Sequence, residues 1–353
     1  MRRDQIGRGV ARFVPLLAVG VAAIFAVDAS ASTIYIGLQG NGNNGNQVLY
    51  SQDTASPGAA NLTAVPQGST VGFGAVVGFD GSSIYYVNHD SNAGNSFYSS
   101  NTDGSNIQVI ATNAAKVSTT TAMVAGAGTV YVGTTANGIQ TLSESASNPS
   151  QVQTNYVSGV GNVAGMAYDF ADNFVFSIDT SGNLYGIATA NKQVTKLTNT
   201  AAGVGSGGAI SIDTVDQLVF YADSNTSVHA VSYTITGNAV TFGSQTTIAT
   251  ATEVTNGGQV SIGAFRGMGY DYSNNELFIG DSGKPQVYDV ADANSSGGST
   301  TLATFDTGIN KNSSSSNLYG GLAVDSVAGV PEPASIAICA LGFCGLLARR
   351  RRA

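Results

Sequence analysis

Tryptophan is absent from this 353-residue chain, and only two histidines and two cysteines are present. Both cysteines, Cys339 and Cys344, lie close to the C-terminus, so residues 32–329 contain neither a disulfide nor a reactive thiol. With His89 and His229 as the remaining soft ligands, a Cys/His zinc site is excluded. The missing tryptophan removes the usual stacking platform for sugar rings, which Tyr85, Tyr86 and Tyr319 replace only in part. Positive charge is scarce as well. Between residues 32 and 329 six basic side chains stand against 19 acidic ones, a net charge of −13 compared with −8 for the whole chain. A field of that sign repels phosphate backbones, which excludes nucleic acid as a partner. No segment between the two ends keeps a 3.6-residue apolar period, so helices are not expected there. There is also no Gly-x-Ser-x-Gly elbow, no phosphate loop and no His-Glu-x-x-His. Gly203 to Gly208 is glycine-rich but leads into a strand pattern without a following lysine.

The long apolar runs sit at the two ends. Arg2, Arg3, Arg8 and Arg12 precede an apolar stretch over 13–27, and Ala29-Ser30-Ala31 follows. This is the order of a secretory signal peptide over residues 1–31, with a small-x-small cleavage pattern that makes Ser32 the first mature residue. An uncleaved N-terminal anchor is the alternative. The Arg2-Arg3 pair lacks the flanking residues of twin-arginine export, which favours general secretion. At the other end Val330-Pro331-Glu332-Pro333-Ala334-Ser335 opens a tail, an apolar run covers 336–348, and Arg349, Arg350, Arg351 and Arg352 close it before Ala353. Proline on both sides of Glu332 holds the backbone extended. As a helix the apolar run would span roughly 20 Å, short of a bilayer core of about 30 Å, with the arginines retained on the cytoplasmic side. A plain membrane anchor explains the apolar run and the arginines but not the Pro-Glu-Pro.

Motif, transmembrane helix and basic cluster together, over residues 330–353, resemble the PEP-CTERM sorting tail of bacterial surface proteins. The resemblance implies that an exosortase, a membrane-embedded cysteine protease-transpeptidase, acts near Pro331-Glu332-Pro333. It also implies an exported precursor tethered to the inner membrane, then a product at the cell surface or in the extracellular matrix.

The body repeats. Gly165-Met166-Ala167-Tyr168-Asp169 has counterparts in Ala209–Asp213, Gly267–Asp271, Gly321–Asp325 and Val76–Asp80, while Met123-Val124-Ala125-Gly126-Ala127 is a copy without the aspartate. After each comes a short turn and a second strand such as Phe174-Val175-Phe176-Ser177-Ile178 or Leu218-Val219-Phe220-Tyr221-Ala222. A third strand follows, as in Leu184-Tyr185-Gly186-Ile187, Val228-His229-Ala230-Val231 and Val287-Tyr288-Asp289-Val290, and then a fourth. Copies start at intervals of roughly 43 to 58 residues, with Gly/Asn/Asp/Ser turns between strands. That spacing is the pattern of propeller blades.

The expected fold is therefore an all-β propeller over 32–329, with six four-stranded blades. Five are continuous, near 73–110, 121–155, 163–198, 207–249 and 263–305. The sixth joins the strand at 321–325 to N-terminal strands near 34–38, 47–50 and 62–65, closing the ring through both termini and hiding the sheet edges. The blades resemble those of six-bladed propellers of the low-density-lipoprotein-receptor (YWTD) type and, more loosely, the NHL type. Ile84-Tyr85-Tyr86-Val87 followed by Asn101-Thr102-Asp103-Gly104-Ser105-Asn106 carries that resemblance, with Thr102 where leucine is usual. It implies architecture and brings across no binding residues.

Few residues suggest a site, and no catalytic set is assigned. Asp80, Asp169, Asp213, Asp271 and Asp325 recur at matched positions, so a ring of carboxylates holding a cation such as calcium is one reading, with Asp169, Asp213 and Asp271 its metal candidates. The other is that each caps its own turn through an Asx-type hydrogen bond, which a repeated residue in a repeated turn favours. Asp179, Asp223 and Asp281 read as hairpin turns. None has the spacing of a calcium loop, and no cofactor is implied. His89-Asp90 is the one adjacent acid–base pair, and His229 reads as a face or core histidine. Residues 40–46, 294–299 and 312–317 are low-complexity loops. Two function classes follow. One is a non-enzymatic surface or matrix propeller that binds polysaccharide or other surface proteins, with the secretion machinery, the exosortase and the inner membrane as partners on the way. The other is an extracellular lyase or hydrolase acting on polysaccharide, which requires three or more buried, perturbed groups from different blades at one mouth.

Overall fold

The computed structural model describes residues 32–39, 49–53, 63–64, 77–88, 96–112, 120–134, 138–144, 156–157, 159–197, 208–223, 227–250, 265–272, 274–281, 286–290, 293, 302–306 and 318–324. Ala29, Ala31, His89, Asp90, Asp325, Val330, Pro331, Glu332, Pro333, the apolar run at 336–348 and Arg349 to Arg352 lie outside these residues. Among the described residues all regular structure is strand, and no helix is long and apolar enough to cross a membrane.

Among the described residues six antiparallel sheets form, and strands pair with their sequence neighbours except where the last strand joins the first. Blade 1 is composite, with β1 (Thr33–Gln39), β2 (Leu49–Asp53) and β3 (Thr63–Ala64) added to a last strand, β23 (Leu318–Val324). Blade 2 holds β4 (Val77–Phe79), β5 (Ser83–Asn88), β6 (Ser96–Asn101) and β7 (Gln108–Thr112). Blade 3 holds β8 (Thr120–Gly126), β9 (Thr129–Thr134) and β10 (Gly138–Ser143). Blade 4 runs through β11 (Val163–Asp169), β12 (Phe174–Asp179), β13 (Leu184–Ala188) and β14 (Val194–Leu197). Blade 5 runs through β15 (Ile210–Asp213), β16 (Leu218–Ala222), β17 (Ser227–Thr236) and β18 (Ala239–Thr250). Blade 6 runs through β19 (Phe265–Asp271), β20 (Glu276–Asp281), β21 (Gln286–Val290) and β22 (Leu302–Asp306).

The first strands β23, β4, β8, β11, β15 and β19 pack side by side in that order, and β19 meets β23, so the ring closes as expected through the composite blade. Five four-stranded blades are found rather than the expected six. The remaining sheet, β8 to β10, has three strands among the described residues, and its outer edge receives one bond from the Tyr156 N–H to the Ile139 carbonyl at 2.9 Å. The copy without the aspartate also shifts by one residue. Gly126 pairs with Thr129 where Asp169 pairs with Phe174, so Met123 matches Met166 as the second residue of the repeat, and Gly126 stands in the aspartate position.

What holds blade to blade is a column of aromatic rings. Pairing registers bring Tyr35, Tyr85, Tyr131, Phe176, Phe220 and Phe278 to one position of the second strands, all of them buried. Each ring packs toward the following blade; Phe220 lies with Met268 and Tyr270, and Phe278 with Ile34 and Leu322. Opposite each ring on the third strand stands Ser51, Ser99, Thr141, Gly186 or Ala230, small and uncharged in every blade but the last. The last has Asp289. The first strands meet backbone to backbone, so a Cβ on Gly165 would strike the Gly208 carbonyl and one on Gly267 the Leu322 N–H.

Candidate binding face

At the end of the ring where the first strands finish, the same turn is built several times. The Asp169 carboxylate accepts the Ala171 and Asp172 N–H groups at 2.9 and 3.1 Å, and Asp213 accepts those of Val215 and Asp216 at 2.8 and 3.1 Å. Asp80 does the same for Ser82 and Ser83 at 2.8 and 2.7 Å. The turn closes on Asn173, Gln217 or Asn275 in the left-handed region, with φ of 57°, 53° and 57°. These are the Asx-type caps read from the repeat. The second carboxylate oxygen then reaches outward. Tyr233 of blade 5 donates to Asp169 of blade 4 at 2.8 Å, Tyr85 donates to Asp80 at 2.7 Å, and Ser32 of blade 1 donates to Asp271 of blade 6 at 2.8 Å. The Asp169, Asp213 and Asp271 carboxylates are almost wholly buried. Burial raises the pKa of Asp169 and Asp213, against the opposing pull of their hydrogen bonds.

Asp169, Asp213 and Asp271 therefore belong to three separate blade junctions, and among the described residues no three carboxylate, histidine or cysteine side chains are grouped to hold a metal ion. Met123, Met166, Ile210, Met268 and Leu322, one from each of five first strands, line a cavity of about 110 Å³ near the ring axis.

Two carboxyl groups that the repeat pattern did not single out are the most perturbed. Glu144 follows β10, its Oε1 buried without a partner, and burial followed by the nearby charge of Asp80 pushes its pKa up to about 7. It supplies a carboxylate to the blade whose turn has Gly126 in place of aspartate, and the Gly128 and Thr129 N–H groups stabilise it. Tyr168 of blade 4 fills the space a Cβ on Gly126 would need. Asp289 in β21 is likewise pushed up to about 7, by burial and then by the charges of Glu276 and Asp271, and its Oδ1 has no partner. Glu144 belongs to blade 3 and Asp289 to blade 6, on opposite sides of the six-membered ring, so they form no acid–base pair. Aligning third strands would have exposed Asp289 in the sequence, since its counterparts Gly186 and Ala230 are uncharged; Glu144 lies outside the repeated strings and left no such signal.

His229 is a satisfied buried histidine. Its Nε2 lies 3.0 Å from Asp223, and its Nδ1 meets Gln245 and Thr247 at 3.0 and 3.1 Å. Asp179 caps its hairpin through the Ser181 and Asn183 N–H groups at 2.9 Å each and accepts the Tyr185 hydroxyl at 2.7 Å. Burial raises its pKa, but these bonds outweigh that and leave it lowered.

The class these features define is a β-propeller, and its likeness to solved propellers is broad. No family model and no curated protein matches the chain. Among solved structures, one described as a nidogen/laminin complex superposes with a TM-score of 0.57 at 11% identity, over 83% of this chain and 98% of that one. TolB from Acinetobacter baumannii gives 0.52 at 12%, over 85% and 67%. An auxiliary nutrient binding protein from Bacteroides thetaiotaomicron gives 0.51 at 11%, over 78% and 64%. At such identities the likeness is one of fold, and the fold resembles propellers of the YWTD and NHL type.

Proposed function

We propose that this chain is an exported bacterial surface or matrix protein, a non-enzymatic propeller that binds extracellular polysaccharide or other surface proteins. It is synthesised with a signal peptide over residues 1–31 and a PEP-CTERM tail over 330–353. It is sorted by an exosortase acting near Pro331-Glu332-Pro333 while tethered in the inner membrane. The tail's order of motif, apolar run and Arg349 to Arg352 supports the sorting. The observation that carries the binding role is the use made of the repeated carboxylates. Asp80, Asp169 and Asp213 are engaged by their own turns, and Glu144 and Asp289 stand on opposite sides of the ring. A lyase or hydrolase needs such groups at one mouth. Neighbours described as a nidogen/laminin complex and a nutrient binding protein are in keeping with recognition by this fold.

The test is to incubate residues 32–329 with polysaccharide extracted from the producing cells. Saturable binding with unchanged polymer length is the expected result. Shortened polymer or newly released reducing ends would replace this reading with the enzymatic one.

A further inference from the structure

The outermost strand of blade 5, β18, pairs with β17 alone among the described residues. It has 12 residues, whereas the outermost strands of the other blades, β3, β7, β10, β14 and β22, have two to six. Edge strands are usually kept short or given a charge or a proline, because a row of open N–H and C=O groups recruits a further strand. In that way β14 carries Lys196 and β22 ends on Asp306. No such device guards β18. From Ser224 to Thr252 the sequence contains no proline, aspartate, glutamate, lysine or arginine.

The edge is also ordered from beneath. Gly243, Ser244, Gln245, Thr246 and Thr247 are all exposed. The Gln245 amide and the Thr247 hydroxyl reach Nδ1 of the buried His229 at 3.0 and 3.1 Å, and Asp223 holds its Nε2 at 3.0 Å. Register shifts at Val228/His229 and Val231/Tyr233 bend β18 on either side and leave Gln245–Thr247 as a regular run between them. An edge fixed in this way loses little conformational freedom when a partner strand joins it.

We propose that this edge is a self-association site, where Gln245–Thr247 of one copy pairs antiparallel with the same residues of a second copy across a two-fold axis. Charge selects the occupant and the place. Two bodies of net charge −13 repel wherever acidic surfaces face each other. They can meet along an edge without charge, and identical strands related by a two-fold bring matching donors and acceptors together. Thr246 then faces its own copy and Gln245 faces Thr247, so the cross-strand pairs are neutral hydroxyls and amides. The regular run is short, so the dimer is weak and forms at high concentration.

Sedimentation equilibrium of the exported protein from about 5 to about 300 µM tests this. A reversible monomer–dimer equilibrium is expected. Raising NaCl from about 0.05 to about 0.5 M should strengthen it, because salt screens the repulsion and the contact has no ion pair to weaken. Thr246→Lys sets two like charges opposite each other and should raise the dissociation constant at least about tenfold, whereas the neutral Thr246→Val should leave it within about threefold. A melting temperature within about 2 °C of the parent shows that each variant is folded, and Ser244→Lys replaces Thr246→Lys if it is not. A monomer at every concentration overturns the proposal, as does a dimer that salt dissociates or that the lysine leaves intact. Open-ended assembly overturns it too, since a two-fold contact closes on itself.

Discussion

At the scale of single residues the repeated turn combines one well-matched choice with one poorly matched one. An aspartate that accepts two N–H groups of its own turn suits the motif, and asparagine at the left-handed closing position tolerates that conformation. Gln217 does not, at φ 53°. Gln217→Gly should stabilise blade 5 by up to about 1 kcal/mol, read from chemical denaturation, because glycine enters the left-handed region without a Cβ penalty. No gain would show that the turn is held by something other than its backbone geometry. Glu144 gives a prediction in pH. Its pKa rises from 4.5 to about 7 on folding, so between those values the folded chain holds more protons than the unfolded one. Its stabilising contribution is then greatest at low pH and is lost as pH climbs through that window. Glu144→Gln should flatten this slope and raise the melting temperature at pH 8 by about 1–3 °C, a modest figure because the residue is only partly buried. A lower melting temperature for the variant at pH 8 would contradict the account. The turn aspartates were legible in the sequence because the residue and its turn recur together. Glu144 was not, because its role depends on which turn it reaches in space.

The elements owe their arrangement to a period that needs no helix and no large side-chain vocabulary. An aromatic in the second strand and a small residue opposite it in the third give each blade one projecting ring and one shallow seat. Phe220, fully buried against Met268 and Tyr270, represents the column. Phe220→Ala should cost roughly 3–5 kcal/mol, measured by denaturant unfolding, and a loss below 1 kcal/mol would remove the column from the account. The composite blade was legible because the strand at 321–325 matched a first strand with no chain left for the other three. Deleting residues 318–324 should therefore weaken the whole ring and not one blade, because β23 is innermost and touches β19 and β4 as well as β1. An unchanged melting temperature would contradict closure through both termini. The one-residue shift at Met123 is not visible in the sequence, where the β8–β9 turn has two residues, Ala127 and Gly128, and the turns after Asp169, Asp213 and Asp271 have four. In the sequence Gly126 falls in the column of Tyr168, and the pairing register moves it to that of Asp169.

For the whole molecule, charge and closure point the same way. A body of net charge −13 without cysteine or tryptophan relies on ring closure and rim hydrogen bonds for its integrity. Ile34 pairs with Val324 at the junction of β1 and β23, so Ser32 and Val324 both lie at the turn-bearing face. Intact-mass measurement of the protein recovered from the cell surface or medium tests this account most directly. The expected mass is that of a chain that begins at Ser32 and ends near Pro331-Glu332-Pro333, with unprocessed precursor accumulating in the envelope for Glu332→Ala. A mass that still includes Arg349, Arg350, Arg351 and Arg352 would contradict sorting and leave an ordinary membrane-anchored propeller.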